Sequence, residues 1–394
     1  MLIKRKLNQF QFIKFGQRFD ITIVDDVFPF HISPWRNTEY LSLADHFKTR
    51  IYSDGIEKNK LLPEGISYQT ALRDFRKKFP KSKIYSRKLR LFSPINTELV
   101  YVLFLGYLRQ YFKHIKKHNL NLVFNLYPGG GFDVNDESVK LLLTEMKNYK
   151  NLKGIFVNQK FTFNYLVNEL KVPDNLILLA NEPILPNYYH HVTISDKRWY
   201  NIDKDTFDIA FVANKYMPMG IDKGFNVFIE YAELLSSKYE FVRFHVVGGF
   251  TKEDITQSNN TTNFTFYGYS DFEFFKKFYA EIDLFVSPNK PFAKGGIFDG
   301  FPLGTSIEAG ICGSVVMMSD LLNENECFVD NHDFLLINNE IDEMLRKTDR
   351  LISNPEIMQS FVENFRESIF KFSNNNIALT KKNNFIKNVL KEIK

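Results

Sequence analysis

Apolar and amphipathic segments alternate along the first half of the chain. Short apolar runs rich in β-branched residues predict strands at residues 20–27, 50–52, 121–126, 154–158 and 176–180. Helical spacing of apolar positions predicts helices at residues 38–47, 98–118, 138–147 and 161–170. Residues 55–97 are basic and follow no clear pattern. Strands that alternate with helices are typical of a parallel α/β sheet, so this half predicts a Rossmann-like domain.

A second alternation of the same kind begins at Phe207. Strands are predicted at residues 208–214, 241–249, 263–269, 283–288 and 333–337, and helices at residues 225–238, 272–282, 341–354 and 356–370. Residues 181–204 are rich in proline, histidine and aromatic residues and are interpreted as the connection between two domains. We therefore expect an α/β chain with domains at residues 1–195 and 205–375. A helix at residues 376–394 is expected to pack back on the first domain.

Composition and cysteine content favour an intracellular globular protein. The chain has 394 residues, 44% hydrophobic and 25% charged, and this length favours two domains. Its two cysteines, Cys312 and Cys327, suggest neither a disulfide framework nor a metal cluster. The first fifteen residues lack the apolar core of a signal peptide, and the apolar run Leu99–Leu108 is too short to span a bilayer. We expect a cytoplasmic protein, either soluble or peripheral on the inner face of the membrane.

Charge is distributed unevenly between the two halves. Residues 1–200 carry a net charge of +13 and residues 201–394 a net charge of −8. The densest basic segment, Arg73–Arg90, has nine basic residues in eighteen. Its partner could be an anionic membrane surface, an anionic acceptor or nucleic acid, and the segment could also be only a solvated face. Since no nucleic-acid-reading module is recognised, nucleic acid is the least favoured partner.

The segment Phe298–Asp320 (FDGFPLGTSIEAGICGSVVMMSD) combines an acidic glycine-rich loop, a short helix and an apolar strand. Glycines in and before the loop would let its backbone approach a ligand closely. Thr305 and Ser306 fall where a helix begins, and the free N–H groups there suit a phosphate. Glu308 projects from the first turn. A carboxylate beside a phosphate site suits a neutral diol such as a ribose, although Glu308 could instead only complement the helix dipole.

Several motifs of the second half occur in a recognisable order. FVAN is followed by Lys215 and then by Lys223 with Gly224, and next come FHVVGG, FTFYGY, DLFVSP and the acidic loop. In this order, residues 207–330 resemble the C-terminal domain of retaining, nucleotide-sugar-dependent GT-B glycosyltransferases of family 4, or group 1. The first half is similar to that family only in architecture. The resemblance implies a GT-B fold, with two Rossmann-like domains facing a central cleft.

The resemblance also implies a reaction and a set of site residues. The chain would transfer a sugar from a nucleoside-diphosphate sugar to a glycan or lipid-linked acceptor, with retention and without a metal ion or other cofactor. Lys215 and Lys223 would cradle the diphosphate, Glu308 would bind the ribose and Asp299 the transferred sugar. The family's first acid stands eight positions before the second, where this chain has Gly300, so the role passes to Asp299, nine positions before. Further substrate-binding residues are Gly300, Phe301, Pro302, Leu303, Gly304, Thr305, Ser306, Gly248, Tyr267 and Gly268.

Acceptor-side residues are predicted from the end of the first strand, where parallel sheets bind ligands. His31 and Arg36 lie in or just after the loop that follows it. Bacterial surface polysaccharide or lipopolysaccharide assembly is the expected process. Two other functions stay open at this point. One is a nucleotide-sugar epimerase with the same fold, and the other is a non-catalytic partner subunit with an altered site.

Overall fold

The computed structural model describes residues 11–13, 16–30, 34–53, 55, 66–90, 92–255, 263–270 and 272–393. The chain divides into two compact units. Unit 1 combines Met1–Pro186 with Asn376–Lys394, and unit 2 is Asn187–Asn375. Residues 187–204, predicted as part of a connection, therefore belong to unit 2. They pack there because the His190 ring stacks on Phe370 and the Arg366 guanidinium donates to the carbonyl of Val192.

The regular elements alternate in both units. In chain order, the strands are β1 Gln11–Ile13, β2 Phe19–Asp25, β3 Thr49–Ser53, β4 Tyr85–Lys88, β5 Phe92–Pro94, β6 Thr97–Leu103, β7 Asn121–Leu126, β8 Leu152–Val157, β9 Ile177–Leu179, β10 Phe207–Ala213, β11 Val242–Gly248, β12 Phe264–Phe266, β13 Leu284–Ser287, β14 Val315–Ser319 and β15 Leu335–Ile337. The α-helices are α1 Pro34–His46, α2 Tyr68–Lys78, α3 Leu105–Lys117, α4 Glu137–Lys147, α5 Lys160–Asn164, α6 Phe225–Lys238, α7 Phe272–Glu281, α8 Gly304–Ile311, α9 Ile341–Ser353, α10 Ile357–Ser373 and α11 Ile377–Ile393. A π-helical turn, Tyr165–Glu169, extends α5, and short 3-10 helices occupy Asp174–Leu176, Asn187–His191, Pro218–Lys223 and Lys252–Ile255.

Unit 1 is built on a seven-stranded parallel sheet with the order β4-β3-β2-β6-β7-β8-β9. Its core joins apolar side chains of the central strands to those of α1 and α11. Helix α11 contributes Ile386, Val389 and Leu390 to this core. The last helix of the chain is thus an integral part of the unit that contains the first strands.

One predicted element of unit 1 is wrong. The sequence predicted a helix over residues 98–118, but residues 97–103 form the central strand β6, and α3 begins only at Leu105. Both faces of β6 are buried, so its residues show no alternation, and a run of this kind cannot be told from a buried helix by periodicity. The change of structure occurs at Phe104, whose φ of 65° belongs to neither a strand nor a right-handed helix.

Unit 2 contains a six-stranded parallel sheet with the order β12-β11-β10-β13-β14-β15. The chain starts in the middle at β10, builds two strands to one side, and then crosses over to β13 on the other side. In parallel sheets the crevice at such a reversal, beyond the carboxyl ends of the strands, is where ligands bind. The loops after β10 and β13 therefore border this crevice. The two parallel Rossmann-like sheets confirm the predicted α/β fold class.

Candidate donor-binding site

Two predicted site residues, 76 positions apart, meet where the loops after β10 and β13 approach each other. The Lys223 ammonium donates to Oδ2 of Asp299 at 2.5 Å, and Asn289 Nδ2 donates to the same oxygen at 2.7 Å. Lys223 is only 8% exposed, and its charge lies 5.3 Å from the centre of the Tyr216 ring. This end of the sheet thus holds a buried cation against an acid fixed by two donors.

Gly224 makes that meeting possible. Its φ is 69°, and a Cβ added to it would lie 1.8 Å from the carbonyl oxygen of Pro288. The loop after β10 therefore runs in direct backbone contact with the end of β13. Since Lys223 and Asn289 are the neighbours of these two residues, the close backbone approach brings their side chains to the same acid.

The acidic loop lines a recess on the same side of the sheet. Among the predicted substrate-binding residues, Gly300, Phe301 and Leu303 line it together with Asp299. Other lining residues are Asn289, Lys290, Pro291, Met318, Ser319, Asp320, Leu321, Leu322 and Glu324. Pro302 follows Phe301 through a cis peptide bond. Gly304, Thr305 and Ser306 form the first turn of α8, whose N-cap residue, Leu303, contributes no side-chain cap.

Glu308 lies on α8 in a different environment from Asp299. It is 9% exposed, and its Oε1 accepts a hydrogen bond from the Tyr189 hydroxyl at 3.2 Å. Burial raises the pKa of Glu308 to about 7, and the hydrogen bond from Tyr189 opposes this rise only in part. The hydrogen bond of Glu308 runs to Tyr189 and not to the Lys223–Asp299 pair. The two predicted acids are therefore held by separate parts of unit 2.

Lys215 is likewise held by a partner of its own. Its ammonium forms an ion pair with Asp254, on the 3-10 helix Lys252–Ile255, and lies 5.8 Å from the centre of the Phe250 ring. A Cβ added to Gly249 would lie 3.3 Å from Cβ of Lys215, so this lysine flanks the turn that follows β11. The structure thus places both predicted lysines in the loop after β10, each paired with a different acid.

The two predicted glycines at the ends of β11 and β12 contact each other through the backbone. The Gly248 N–H donates to the carbonyl of Gly268 at 2.8 Å. Gly248 has a φ of 123°, and a Cβ there would lie 1.9 Å from the carbonyl oxygen of Ala213, so this position requires glycine. Gly268 also has a positive φ, 71°, but open space surrounds it. Both glycines therefore present backbone without a side chain at the carboxyl ends of the strands.

Tyr267 directly precedes Gly268 and contacts a half-buried histidine. Its hydroxyl is 2.9 Å from Nδ1 of His245, whose Nε2 is 2.7 Å from Asp208. A carboxylate can only accept, so the Nε2–H of His245 donates to Asp208. The His245 and Tyr267 rings stack at 5.9 Å. The contacts with His245 hold the Tyr267 ring in place, and the ring remains partly exposed beyond the end of β12.

Two site residues escaped sequence analysis. Asn289 lies two residues beyond the end of β13, at the reversal of the sheet, and a known strand order would have marked it. Tyr189 fell in the segment that the sequence assigned to a connection, and no sequence signal links it to Glu308, 119 positions away.

Of the two predicted acceptor-side residues, one falls in the described part of the chain. His31 lies outside the described residues. Arg36 lies on α1 in unit 1, where its guanidinium pairs with Asp25 at 3.1 Å and Asp26 at 3.0 Å. Burial lowers the pKa of Arg36, but the two carboxylates outweigh this effect and hold it above its usual value. Arg36 is thus engaged by acids of its own unit.

Within the described residues, no group of three or more His, Cys, Asp or Glu side chains could hold a metal ion. None of the helices described is both long and apolar enough to cross a membrane.

Comparisons with known proteins bear on both units. Residues 192–368 match the family described as glycosyl transferases group 1. A glycosyltransferase from Rickettsia africae superposes with a TM-score of 0.66 at 15% identity, over 95% of this chain and 100% of that one. Sucrose-phosphate synthase from Thermosynechococcus elongatus gives a TM-score of 0.63 at 13% identity, over 96% and 100%. HepE from Anabaena, in complex with UDP and glucose, gives a TM-score of 0.61 at 12% identity, over 92% of this chain and 99% of that one.

No curated protein sequence matches the chain. The structural similarities, at these identities, establish the fold, and the family match covers most of unit 2, including every predicted donor-site residue. The motifs that carried the resemblance, from Lys215 to the acidic loop, all lie within that match. Residues 192–368 thus belong to the glycosyl transferases group 1, and the chain is a glycosyltransferase with the GT-B fold.

Proposed function

We propose that the chain transfers a sugar from a nucleoside-diphosphate sugar, held by unit 2, to a glycan or lipid-linked acceptor. The observation that carries this proposal is the contact between Lys223 and Asp299 at the reversal point of the unit 2 sheet. A cation there suits a diphosphate, and the adjacent acid suits sugar hydroxyl groups. HepE from Anabaena, which shares the fold, binds UDP and glucose.

The proposed transfer retains the configuration at the anomeric carbon and uses no metal ion. The bond from the anomeric carbon to the diphosphate breaks, and a bond to the acceptor oxygen forms on the same face. The departing diphosphate oxygen takes the acceptor proton. Lys223, Lys215 and the N–H groups of the first turn of α8 stabilise the charge that develops on the diphosphate. Glu308 binds the ribose, and Asp299 binds the transferred sugar.

The pairing of Lys223 has a consequence for donor binding. An ammonium has three donors, and Asp299 takes one of them at 2.5 Å while a second acid, Asp222, lies 3.6 Å away. A diphosphate must bind the remaining donors or compete with Asp299 for the same charge. Asp299, which Asn289 holds in place, therefore weakens the electrostatic attraction between Lys223 and the donor diphosphate.

A thermal-shift screen tests the donor site. Wild-type protein is heated with UDP-, GDP- and ADP-sugars and with the free nucleotides, because a ligand that binds the native state raises its melting temperature. At least one nucleotide sugar should stabilise the wild type, and Lys223→Ala should lose most of this response. Lys277→Ala, which removes an exposed lysine from α7, is the matched control. The proposal fails if no nucleotide sugar stabilises the wild type, or if Lys223→Ala responds as fully as the control.

We further propose that unit 1 docks on an anionic membrane surface, as suits an enzyme of surface polysaccharide or lipopolysaccharide assembly. All nine basic side chains of Arg73–Arg90 are exposed, on α2, on the edge strand β4 and on the residues around them. Each basic residue near an anionic bilayer contributes about 1 kcal/mol. The segment is therefore sufficient for reversible attachment at low salt.

Vesicle sedimentation tests this docking. Protein is spun at low salt with vesicles that contain or lack phosphatidylglycerol. The wild type should sediment only with anionic vesicles, and Arg76→Glu/Lys77→Glu on α2 should weaken this binding. Lys387→Glu/Lys391→Glu, an equal charge change at exposed positions of α11 in the same unit, is the control. Equal binding by the two double variants would contradict the assignment to α2.

A further inference from the structure

Tyr189 lies in the first residues of unit 2, on the 3-10 helix Asn187–His191. The Tyr189 side chain is buried, and its hydroxyl donates to the Glu308 carboxylate at 3.2 Å. The residue belongs to the backbone segment that enters unit 2 and to none of the sheet-end loops that carry the lysines and Asp299. An aromatic side chain from outside the donor loops thus reaches the acid assigned to the ribose.

Helix α10 fixes this segment to α8. The Arg366 guanidinium donates through one nitrogen to the Val192 carbonyl at 2.8 Å and through the other to the carbonyl of Ile311, the last residue of α8. A Cβ at Gly310 would lie 2.2 Å from the Phe365 ring, so α8 also packs directly on α10. Two elements held by the same arginine keep a fixed separation. The geometry between Tyr189 and Glu308 is therefore set by the framework of unit 2.

The other groups that face Glu308 do not titrate near neutral pH. They are Tyr188 and Tyr189 from the 3-10 helix, Tyr279 from α7 and Cys312 from the end of α8. Burial is the largest cause that raises the pKa of each, and the charge of Glu308 adds to it; the Cys312 thiol reaches about 12. Glu308, with a pKa of about 7, is the group in this cluster that changes charge in the physiological range.

We infer that Tyr189 is a positioning residue of the donor site, whose hydroxyl orients the Glu308 carboxylate and keeps it ionised for the ribose. The inference rests on the proposed function, in which Glu308 accepts hydrogen bonds from the ribose hydroxyls. A protonated carboxyl would present one donor in place of an acceptor and would bind the diol less well. Because the Tyr189 hydroxyl bonds to the ionised form, its removal favours the protonated form. Donor affinity then becomes weaker at neutral pH although no contact with the donor is lost.

The test is the pH dependence of donor binding. UDP-glucose, UDP-N-acetylglucosamine and GDP-mannose are titrated calorimetrically into the wild type across the neutral range. The diphosphate of these sugars is a diester that does not titrate there, so a midpoint reports the protein. The best-bound donor is then used with Tyr189→Phe, with Glu308→Gln and with Tyr279→Phe. Tyr279→Phe is the matched control, because it removes a buried hydroxyl of the same cluster that has no hydrogen-bond partner among the described residues.

Wild-type affinity should fall as the pH drops below about 7, by roughly tenfold per pH unit once Glu308 is mostly protonated. In Tyr189→Phe the midpoint should move to higher pH by about one unit, the effect of losing one hydrogen bond to a charged group. Tyr279→Phe should keep the wild-type midpoint, and Glu308→Gln should bind with no midpoint. If Tyr189→Phe keeps the wild-type midpoint, or if the wild type has none, the inference is overturned and the donor site stands. If none of the three donors binds the wild type, the proposed donor site itself fails.

Discussion

Replacing Lys382 with methionine should destabilise unit 1 by about 3–5 kcal/mol, because it leaves a buried carboxylate without its counter-ion. Lys382 lies on α11 and is 3% exposed. Its ammonium donates to Glu39 Oε2 on α1 at 2.9 Å and to the Tyr127 hydroxyl at 2.6 Å. Glu39 is also buried and lies 343 positions away in sequence. The pair joins the two ends of the chain inside one core.

The size of the stability loss depends on which groups remain around Glu39 after each substitution. Methionine fills nearly the same volume as the lysine stem, so the loss is electrostatic and not a cavity. Asn125 and Tyr127 still donate to Glu39, but neither carries a charge. Combining Lys382→Met with Glu39→Gln removes both charges; the amide oxygen still accepts from Asn125, and the Tyr127 hydroxyl can accept from the amide N–H. Replacing both ions of a buried pair is often neutral, so the double variant should recover most of the loss.

Urea unfolding measures the effect if the signal comes from unit 1. The chain has two tryptophans, Trp35 and Trp199. In a Trp199→Phe background, the remaining Trp35 fluorescence reports unit 1, where this ring packs beside Ala378 and Leu379 of α11. Lys140→Met is the control. Its side chain is 39% exposed and pairs with Glu137, which is 77% exposed, so the cost should stay below about 1 kcal/mol. Equal losses for the Lys382 and Lys140 variants, or no recovery in the double variant, would refute the reasoning.

Three further predictions concern unit 2. Glu308 binds its proton more tightly in the folded protein, so its charge opposes folding above about pH 7 but not below its ordinary pKa of 4.5. Glu308→Gln should therefore raise the free energy of unfolding by up to about 3 kcal/mol at about pH 8 and by much less near pH 5. Denaturant titration at the two pH values measures both effects. Gly248→Ala should lower the free energy of unfolding by about 3 kcal/mol or more, because the added Cβ meets the Ala213 carbonyl. Gly268→Ala, in open space, should lower it by about 1–2 kcal/mol through its positive φ alone. Similar melting temperatures for the two variants would argue against the clash. Asp299→Asn should bind the free nucleoside diphosphate about tenfold more tightly by calorimetry, because Lys223 loses a competing carboxylate, and weaker binding would show that the acid does not compete.

Sequence periodicity predicted the α/β class because most strands and helices follow one another with clear boundaries. It failed at β6, where a central strand buried on both faces carries the same continuous apolar pattern as a buried helix. The order of motifs predicted a donor site in residues 207–330 and singled out Lys223 and Asp299. It could not show that these two side chains meet, since their contact depends on which strands are neighbours in the sheet.

The residues that sequence analysis missed illustrate the same limit. Tyr189 reaches Glu308 through packing of a 3-10 helix on α8 and α10, and Lys382 reaches Glu39 through the docking of the last helix on the first. Each contact joins segments more than a hundred positions apart. No local pattern encodes a contact of that kind, whereas local patterns do encode caps, turns and strand alternation.

The division of unit 1 into two separated stretches of chain has a consequence for synthesis. Unit 2 is complete once residue 375 has left the ribosome, and it can fold as a unit while unit 1 still lacks α11. Until then, the apolar strip that α11 will cover stays open and Glu39 has no counter-ion. The nascent first half therefore leaves this strip exposed throughout translation of the second half. A stop codon before Ile377 would release a complete unit 2 joined to a unit 1 that cannot close its core.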